Sequence, residues 1–323
     1  MTFAIALLAE YQSALHPAGR YAGAIRDLFR FFTIVTTAAY VLVLLFFLAA
    51  FVKGKRRTMP DATDPTARRA GKWVGAALAV TIATLFVLLI ASIGTGRAIS
   101  HVYDRTERHV TVVGHQWWWD VTYDAAQADQ AVQTANELHL PVGERVIVHL
   151  FSRDVIHSFW IPNLNGKRDL IPGKESTIAI EADRPGIYRA QCAEFCGLQH
   201  AQMGLIVVAE PKEKFDGWLA AQRMPSRSPV SIDEQKGQQL FLTTTCAMCH
   251  AIKGTPAGAR TGPDLTHVGS RATLAAGILS NTRGNLAGWI ADPSGIKPGV
   301  LMPANSLETD QLNAIVAYLE SLK

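Results

Sequence analysis

The chain has 323 residues, of which 49% are hydrophobic and 18% charged, and its formal net charge is +4. A mean hydropathy of +0.13 argues against a wholly soluble single domain, and 25 Gly and 15 Pro without a short period exclude collagen-like and disordered classes. Four cysteines are too few for a disulfide scaffold, and they fall in two close pairs that indicate metal, redox or cofactor chemistry.

Two apolar runs predict transmembrane helices. Residues 31–52 and 73–94 each contain 22 residues without a charge. At about 1.5 Å per residue, each helix would be about 33 Å long, which is enough to cross a hydrocarbon core of about 30 Å. We therefore expect a transmembrane hairpin over residues 31–96. It follows an N-terminal segment, residues 1–30, whose apolar stretch lacks the basic start of a typical cleaved signal.

The loop between these helices, residues 53–72, predicts their orientation. It carries seven basic and two acidic side chains, a net charge of +5. The positive-inside rule places such a loop in the cytoplasm. Both termini and everything after residue 96 then lie on the outer, periplasmic side of a bacterial-type plasma membrane. Because this loop is the largest positive block, the overall charge does not indicate nucleic-acid binding.

Short β-rich runs separated by Gly, Pro and Asp follow the second helix. This pattern predicts an all-β sandwich or small barrel, which we assign to residues 97–222. The predicted strands lie within residues 108–123, 144–150, 175–181, 185–192 and 203–210.

A twelve-residue segment of this β domain combines two thiols, an imidazole and a thioether. These belong to Cys192, Cys196, His200 and Met203. Soft sulfur ligands with imidazole select copper or zinc, and a weak Met ligand is typical of copper. A single blue-copper centre needs one cysteine, so the second indicates two coppers bridged by both thiolates, with His157 as a further nitrogen ligand. A Cys192–Cys196 disulfide and a zinc site are the alternatives.

This segment resembles the copper loop of subunit II of cytochrome c oxidase, and the resemblance spans roughly residues 31–220. It implies a cupredoxin sandwich that holds the binuclear centre CuA. The implied ligands are the side chains of His157, Cys192, Cys196, His200 and Met203 and the backbone carbonyl of Glu194. The resemblance also implies that the Glu194 carboxylate reaches a magnesium ion shared with subunit I.

The sequence Gly114-His115-Gln116-Trp117 matches a second motif of this family. The resemblance implies that electrons enter CuA through Trp117, and core packing or an interfacial aromatic position is the alternative. One feature departs from the family. Many members have an acidic residue at the cytoplasmic start of the second helix, where it serves proton entry, and this chain has Arg68, Arg69 and Lys72 there. Proton entry would then belong to subunit I alone.

Residues 223–232 predict a linker, because residues 223–230 contain two prolines and two serines without periodicity. Beyond them, Ser231 and Glu234 form a predicted capping box that opens a helix. The last segment, residues 307–323, has the spacing of an amphipathic helix, with apolar side chains at Leu312, Ile315, Val316 and Leu319. Residues 233–323 are thus expected to form a small all-α domain.

The second cysteine pair lies in this helical domain. Cys246-Ala-Met-Cys249-His250 is the attachment signature of c-type haem, in which both thiols bind the haem and the histidine binds its iron. Met302 and His267 are the candidates for the sixth ligand, and a Met ligand suits an electron carrier because it raises the haem potential. The resemblance to class I cytochromes c, over residues 233–323, favours Met302. It also implies that the Pro263 carbonyl orients His250.

These predictions together describe the electron-input subunit of a haem-copper oxidase of the caa type, in which a cytochrome c domain is fused to subunit II. Electrons would pass from a soluble cytochrome c or another small donor through haem c and CuA to subunit I, where oxygen is reduced. The expected partners are subunit I, subunit III and the lipid bilayer, with no nucleic acid. A free-standing membrane-tethered carrier, a quinol oxidase subunit and a nitrogen-oxide reductase are the alternatives.

Overall fold

A computed structural model describes residues 12–54, 65–100, 108–125, 127 and 130–323. The chain divides into two compact units, Gly23–Val102 on the one hand and Met1–Ala22 with Tyr103–Lys323 on the other. The expectations for the first eleven residues and for residues 55–64 of the predicted cytoplasmic loop lie outside the described residues.

Two long helices contain the predicted transmembrane runs. Helix α1 spans Arg20–Lys53 and helix α2 spans Pro65–Ile99. Both are long and apolar enough to cross a membrane. They extend beyond residues 31–52 and 73–94 because the flanking residues, several of which are charged, contain no internal proline that would end the helix. Most large apolar side chains of both helices are exposed, as lipid-facing side chains are, whereas Tyr21 and Leu88 are buried.

The β domain is a sandwich of two five-stranded sheets. Its strands are β1 (Arg108–His115), β2 (Trp118–Tyr123), β3 (Val132–Ala135), β4 (Glu137–Pro141), β5 (Val146–Ser152), β6 (His157–Trp160), β7 (Arg168–Leu170), β8 (Ser176–Ile180), β9 (Gly186–Cys192) and β10 (Gly204–Glu210). One sheet has the order β3-β2-β1-β5-β8 and the other β4-β10-β9-β6-β7. The pairs β1·β5 and β4·β10 are parallel, and the others are antiparallel. This is the predicted cupredoxin-like sandwich.

Alternating side chains of β1 and β2 fill the space between the sheets. Trp119 and Phe159 are fully buried there, with ring centroids 5.8 Å apart in an edge-to-face contact. The sequence did not predict β3, β4, β6 or β7, which are three to five residues long. It also did not predict helix α3, Lys212–Arg223, which follows β10 directly.

The C-terminal domain is helical, as predicted. Its helices are α4 (Ile232–Thr243), α5 (Arg283–Ala291), α6 (Pro293–Ile296) and α7 (Thr309–Ser321), with a two-stranded ribbon of β11 (Thr273–Leu274) and β12 (Leu279–Ser280). The predicted capping box of Ser231 and Glu234 is formed at the start of α4. Helix α7 buries Ile315, Val316 and Leu319 in the core of this domain.

Candidate functional site

The predicted copper ligands lie close together at one end of the sandwich. Strand β6 pairs with β9, and this pairing brings His157, at the start of β6, beside Cys192, at the end of β9. One ligand atom each of His157, Cys192 and Cys196 lies within 4.8 Å of the other two. The two Sγ atoms are 3.8 Å apart, and all four cysteines of the chain are free thiols. The Cys192–Cys196 disulfide considered above is therefore not formed.

The other predicted copper ligands surround Cys196 and Cys192. Nδ1 of His200 lies 3.5 Å from Sγ of Cys196, and Sδ of Met203 lies 3.9 Å from the same sulfur. The backbone oxygen of Glu194 lies 3.2 Å from Sγ of Cys192. A short 3-10 turn, His200–Gln202, reverses the chain so that His200, its first residue, and Met203, the next residue after it, both reach the Cys196 thiol. Two cysteine sulfurs with imidazole and thioether groups beside them form a set of ligands suited to copper.

The electrostatics of the cluster favour one thiolate. The hydrogen bond with Cys196 and the neighbouring His157 lower the pKa of Cys192, and the same pairing raises the pKa of Cys196. Burial opposes protonation of His157, but its contacts with Cys192 and Asp154 raise its pKa overall. A thiolate is the form of cysteine that binds a metal, so the site favours the ligating state of Cys192.

Asp154, Gln116 and Gly114 hold the His157 imidazole in place, and the sequence did not predict this role for them. Nε2 of His157 lies 2.8 Å from Oδ1 of Asp154, and the Gln116 backbone N–H donates to Oδ2 of Asp154 at 2.7 Å. Gly114 packs so closely against the imidazole that a Cβ added there would lie only 2.8 Å from Cδ2 of His157. Asp154 precedes His157 by three residues, and this spacing in the sequence was a signal from which the contact could have been predicted.

Trp117 lies in the turn between β1 and β2 and is 8% exposed. Its indole Nε1–H donates to the Cys196 carbonyl at 2.9 Å, so the aromatic ring is joined to the copper loop. Trp118 stacks on His115, and Trp119 belongs to the core. The side chain of Glu194, the magnesium candidate, is exposed, and among the described residues it does not belong to a group of three possible metal ligands.

The predicted haem attachment residues lie just after the end of α4. A 3-10 turn, Thr245–Met248, is followed by backbone hydrogen bonds from Cys249 and His250 to the Cys246 carbonyl. Both thiols are half-buried on this compact turn. Nδ1 of His250 lies 2.7 Å from the Pro263 carbonyl, which leaves Nε2 as the atom able to bind iron. Burial lowers the pKa of His250 and so favours the neutral imidazole that ligation needs.

The two candidates for the sixth iron ligand lie in different surroundings. Met302 is half-buried in the irregular segment between α6 and α7. His267 is buried, and its Nε2 lies 3.1 Å from the Met224 carbonyl, to which it can donate. This contact occupies one ring nitrogen of His267 with the linker.

Comparisons with known proteins agree with both domains. The family model described as cytochrome c oxidase subunit II, periplasmic domain, matches residues 125–210, and the cytochrome c model matches residues 234–323. A cytochrome c oxidase subunit 2 of Alkalihalophilus pseudofirmus is 31% identical over 97% of this chain and 92% of its own length. The corresponding protein of Bacillus subtilis is 28% identical, with the same shares covered.

One of the solved structures that resemble this chain is that of a single domain. The periplasmic domain of subunit II of cytochrome oxidase from Bradyrhizobium japonicum is 24% identical, and the match covers 38% of this chain and 97% of that domain, with a TM-score of 0.35.

Proposed function

This chain belongs to the cytochrome c oxidase subunit 2 family and is the electron-input subunit of a haem-copper oxidase, and we propose which of its residues hold the redox centres. His157, Cys192, Cys196, His200 and Met203, with the Glu194 carbonyl, hold the two coppers of CuA. The convergence of two thiols and the His157 imidazole within 4.8 Å supports this assignment most directly.

The side chains at this site bind the metals, orient one another and exclude water. The coppers, when bound, supply one-electron oxidation and reduction. Cys192, Cys196 and Met203 are at most 4% exposed, so their sulfurs face a dry environment. Asp154 fixes the ring of His157 so that Nδ1 faces Cys192, with 3.8 Å between Nδ1 and Sγ. Ligands held in this way need little rearrangement when the charge of the site changes by one electron.

In the helical domain, Cys246 and Cys249 attach haem c, and His250 and Met302 bind its iron. The Pro263 carbonyl accepts the Nδ1–H of His250 and holds the imidazole plane. The haem, when bound, supplies a second one-electron centre. A Met ligand raises the haem potential, which suits an electron carrier, and this supports Met302 over His267 as the sixth ligand.

The chain is anchored in the membrane, and we propose its orientation and partners. The net charge of +5 on residues 53–72 supports a cytoplasmic location for that loop, with both redox domains in the periplasm. Subunits I and III bind the hairpin, and a soluble cytochrome c or another small protein delivers electrons. The exposed Glu194 carboxylate is available for a magnesium ion shared with subunit I. With Arg68, Arg69 and Lys72 at the second helix, proton entry belongs to subunit I.

We also propose the domain boundaries. The N-terminal segment is residues 1–30, the hairpin 31–96, the copper domain 97–222, the linker 223–232 and the haem domain 233–323. Helix α3 ends at Arg223 and α4 begins at Ile232, and this gap between helices supports the linker assignment.

A pair of cysteine variants tests the two ligand assignments in the purified complex. Cys196→Ser should abolish the paramagnetic signal of the mixed-valence dicopper centre and leave the c-type haem spectrum intact. Cys249→Ser, the matched control, should alter the haem spectrum because one thioether is lost, and should leave the dicopper signal unchanged. Zinc in place of copper in the wild-type complex would contradict the copper assignment.

A separate measurement tests the partners. Gentle detergent extraction of the tagged chain should co-purify a haem-copper subunit I. Recovery of the chain alone, with both redox centres filled, would instead favour a free-standing membrane-tethered carrier.

A further inference from the structure

A four-residue segment of the haem domain, Lys297–Pro298–Gly299–Val300, contacts the copper domain along its whole length. We name it the docking segment. It follows helix α6 directly and ends two residues before Met302, the proposed iron ligand. The chain that presents this ligand is therefore held against the copper domain immediately beforehand.

Lys297 is the most deeply buried part of the docking segment. The residue is 2% exposed, which is unusual for a lysine. Its Nζ lies 2.8 Å from the carbonyl oxygen of Trp117 and 2.8 Å from that of Gln202, both in the copper domain. A third carbonyl, that of Ala275 in the haem domain, lies 3.3 Å away. One amino group thus joins backbone atoms of both domains.

The other residues of the docking segment meet the same part of the copper domain. The Gln199 side-chain amide donates to the Pro298 carbonyl at 2.7 Å. Gly299 has a φ of +89°, and a Cβ added there would lie 3.1 Å from Cδ2 of Leu198 and 3.4 Å from Cη2 of Trp117. Val300 packs against the core of the sandwich. A residue larger than glycine at position 299 would be strained by this positive φ and would crowd Leu198.

A second part of the haem domain supports this contact from the turn before β12. Ala275 and Ala276 have φ values of 53° and 62°, a left-handed conformation that is uncommon for alanine. This conformation directs the Ala276 carbonyl to the Gly204 N–H, at 3.1 Å, and the Ala275 carbonyl to Lys297. Strained backbone of this kind persists only where surrounding contacts hold it.

A lysine amine removed from water in this way needs a specific set of acceptors. Burial lowers the pKa of Lys297 to about 7, which reflects the loss of hydration. Such a group is costly to bury unless its hydrogen bonds are replaced, and here backbone carbonyls replace them. A displaced haem domain would leave those carbonyls without their donor. The contact therefore selects one position of the haem domain.

We propose that Lys297 is a positioning residue that locks the haem domain onto the copper loop, over Trp117, so that electrons pass between the two centres without a docking search. This inference rests on the proposed copper and haem sites. It assigns to Lys297 a role in the rate of internal electron transfer and none in ligating either centre.

Lysine acylation of the intact complex tests the buried contact without relying on either redox centre. The exposed amines of Lys174 and Lys323 should react readily with a water-soluble acylating reagent, and mass spectrometry should find Lys297 protected. Reaction of Lys297 as fast as Lys174 in the native complex would overturn the proposal.

Two variants then test its consequence. Lys297→Met removes the amine, and Gly299→Ala strains the docking segment through its positive φ and its contact with Leu198. In both, internal electron transfer between haem and copper after rapid reduction of the haem should slow roughly tenfold or more, because the lost buried hydrogen bonds shift the docked population by such a factor. Lys174→Met is the matched control and should leave the rate unchanged.

The spectra of the two centres separate the possible failures. Haem and dicopper spectra should be those of the wild type in each variant. Unchanged electron-transfer rates in both Lys297→Met and Gly299→Ala would overturn the docking role. Absence of either redox centre from the wild-type complex would instead contradict the proposed sites.

Discussion

His157 and Asp154 form a hydrogen bond in which Nε2 and Oδ1 are 2.8 Å apart. The second oxygen of Asp154 accepts the Gln116 N–H, so the carboxylate is held from two directions. Burial opposes the ionised form of Asp154, but these hydrogen bonds outweigh it and lower the pKa of the carboxyl. The negative charge therefore persists beside the imidazole and directs Nδ1 toward Cys192.

Asp154→Asn tests this orientation. The amide keeps the size of the carboxyl but loses its charge, so His157 is held less firmly and becomes a weaker ligand. Loss of such an outer contact typically lowers metal affinity by about 10-fold to 100-fold. Competition between the protein and a copper chelator, followed by the dicopper absorbance, measures the change. Asp169→Asn, on the exposed face of β7, is the control. Equal copper retention in both variants would rule out the role of Asp154.

The sequence predicted the ligands better than the contacts around them. Cys192, Cys196, His200 and Met203 lie within twelve residues, so their proximity is a property of the local chain. Lys297 is different, because it meets Trp117 across 180 residues. Such a contact depends on how two domains pack, and neither a motif nor a hydropathy pattern encodes it.

The fold shows the same division between local and distant determinants. The long apolar runs and the capping box at Ser231 predicted their helices, since each is a local signal. Strand β6 was missed, although it carries His157, because four residues are too few to show a period. Its position is set by pairing with β9, more than thirty residues away in the sequence.

Gly262 is expected to be required for the position of His250. A Cβ at position 262 would lie 2.8 Å from Cε1 and 3.0 Å from Nδ1 of the imidazole. Gly262→Ala should therefore displace the ring from the Pro263 carbonyl, destabilise the haem domain by about 1–3 kcal/mol and shift the haem spectrum and midpoint potential. Thermal unfolding and a redox titration measure these effects.

Gly258→Ala is the matched control for this substitution. No atom lies within 4 Å of a Cβ at position 258, so this variant should keep the wild-type spectrum and potential. Identical spectra and potentials for the two variants would show that Gly262 does not constrain the His250 imidazole.

Glu137 should make stability depend on pH. Burial opposes its ionisation, but the hydrogen bond and charge of His139 outweigh this and lower its pKa below the ordinary value of 4.5. Oε1 of Glu137 lies 2.7 Å from Nε2 of His139, and Oε2 accepts the Ala272 N–H of the haem domain at 3.4 Å. Since the folded pKa is below the unfolded one, Glu137 stabilises the fold above the unfolded pKa, and this contribution is lost as the pH falls through the folded pKa.

Melting temperatures of the wild type and Glu137→Gln across this pH range test that dependence. The wild type should melt at the higher temperature near neutral pH, and the difference should shrink as the pH falls below 4.5. The exposed Glu213→Gln variant should show little difference from the wild type at any of these pH values. A constant difference between wild type and Glu137→Gln would mean that the Glu137 charge does not contribute.

Gly237 lies inside helix α4, where glycine is ordinarily unfavourable by about 0.5–1 kcal/mol relative to alanine. The packing of α4 on α7 explains its presence. A Cβ at position 237 would lie 2.0 Å from the Ala314 carbonyl oxygen and 2.7 Å from Cβ of Tyr318. The first of these atoms is backbone and cannot turn aside. Gly237→Ala should therefore separate the two helices and destabilise the haem domain by about 3 kcal/mol or more.

Gly217 provides a control of opposite sign, because it lies inside helix α3 and a Cβ there would meet no atom within 4 Å. Gly217→Ala should stabilise its domain by about 0.5–1 kcal/mol through helix propensity alone. Denaturant unfolding followed by haem absorbance reports on the haem domain, and far-ultraviolet circular dichroism reports on both domains. Equal stability of the Gly237→Ala and Gly217→Ala variants would show that α4 and α7 do not approach each other closely at Gly237. If the same Gly→Ala substitution lowers the stability at position 237 and raises it at position 217, then the closeness of the helices, and not helix propensity, selects glycine at position 237.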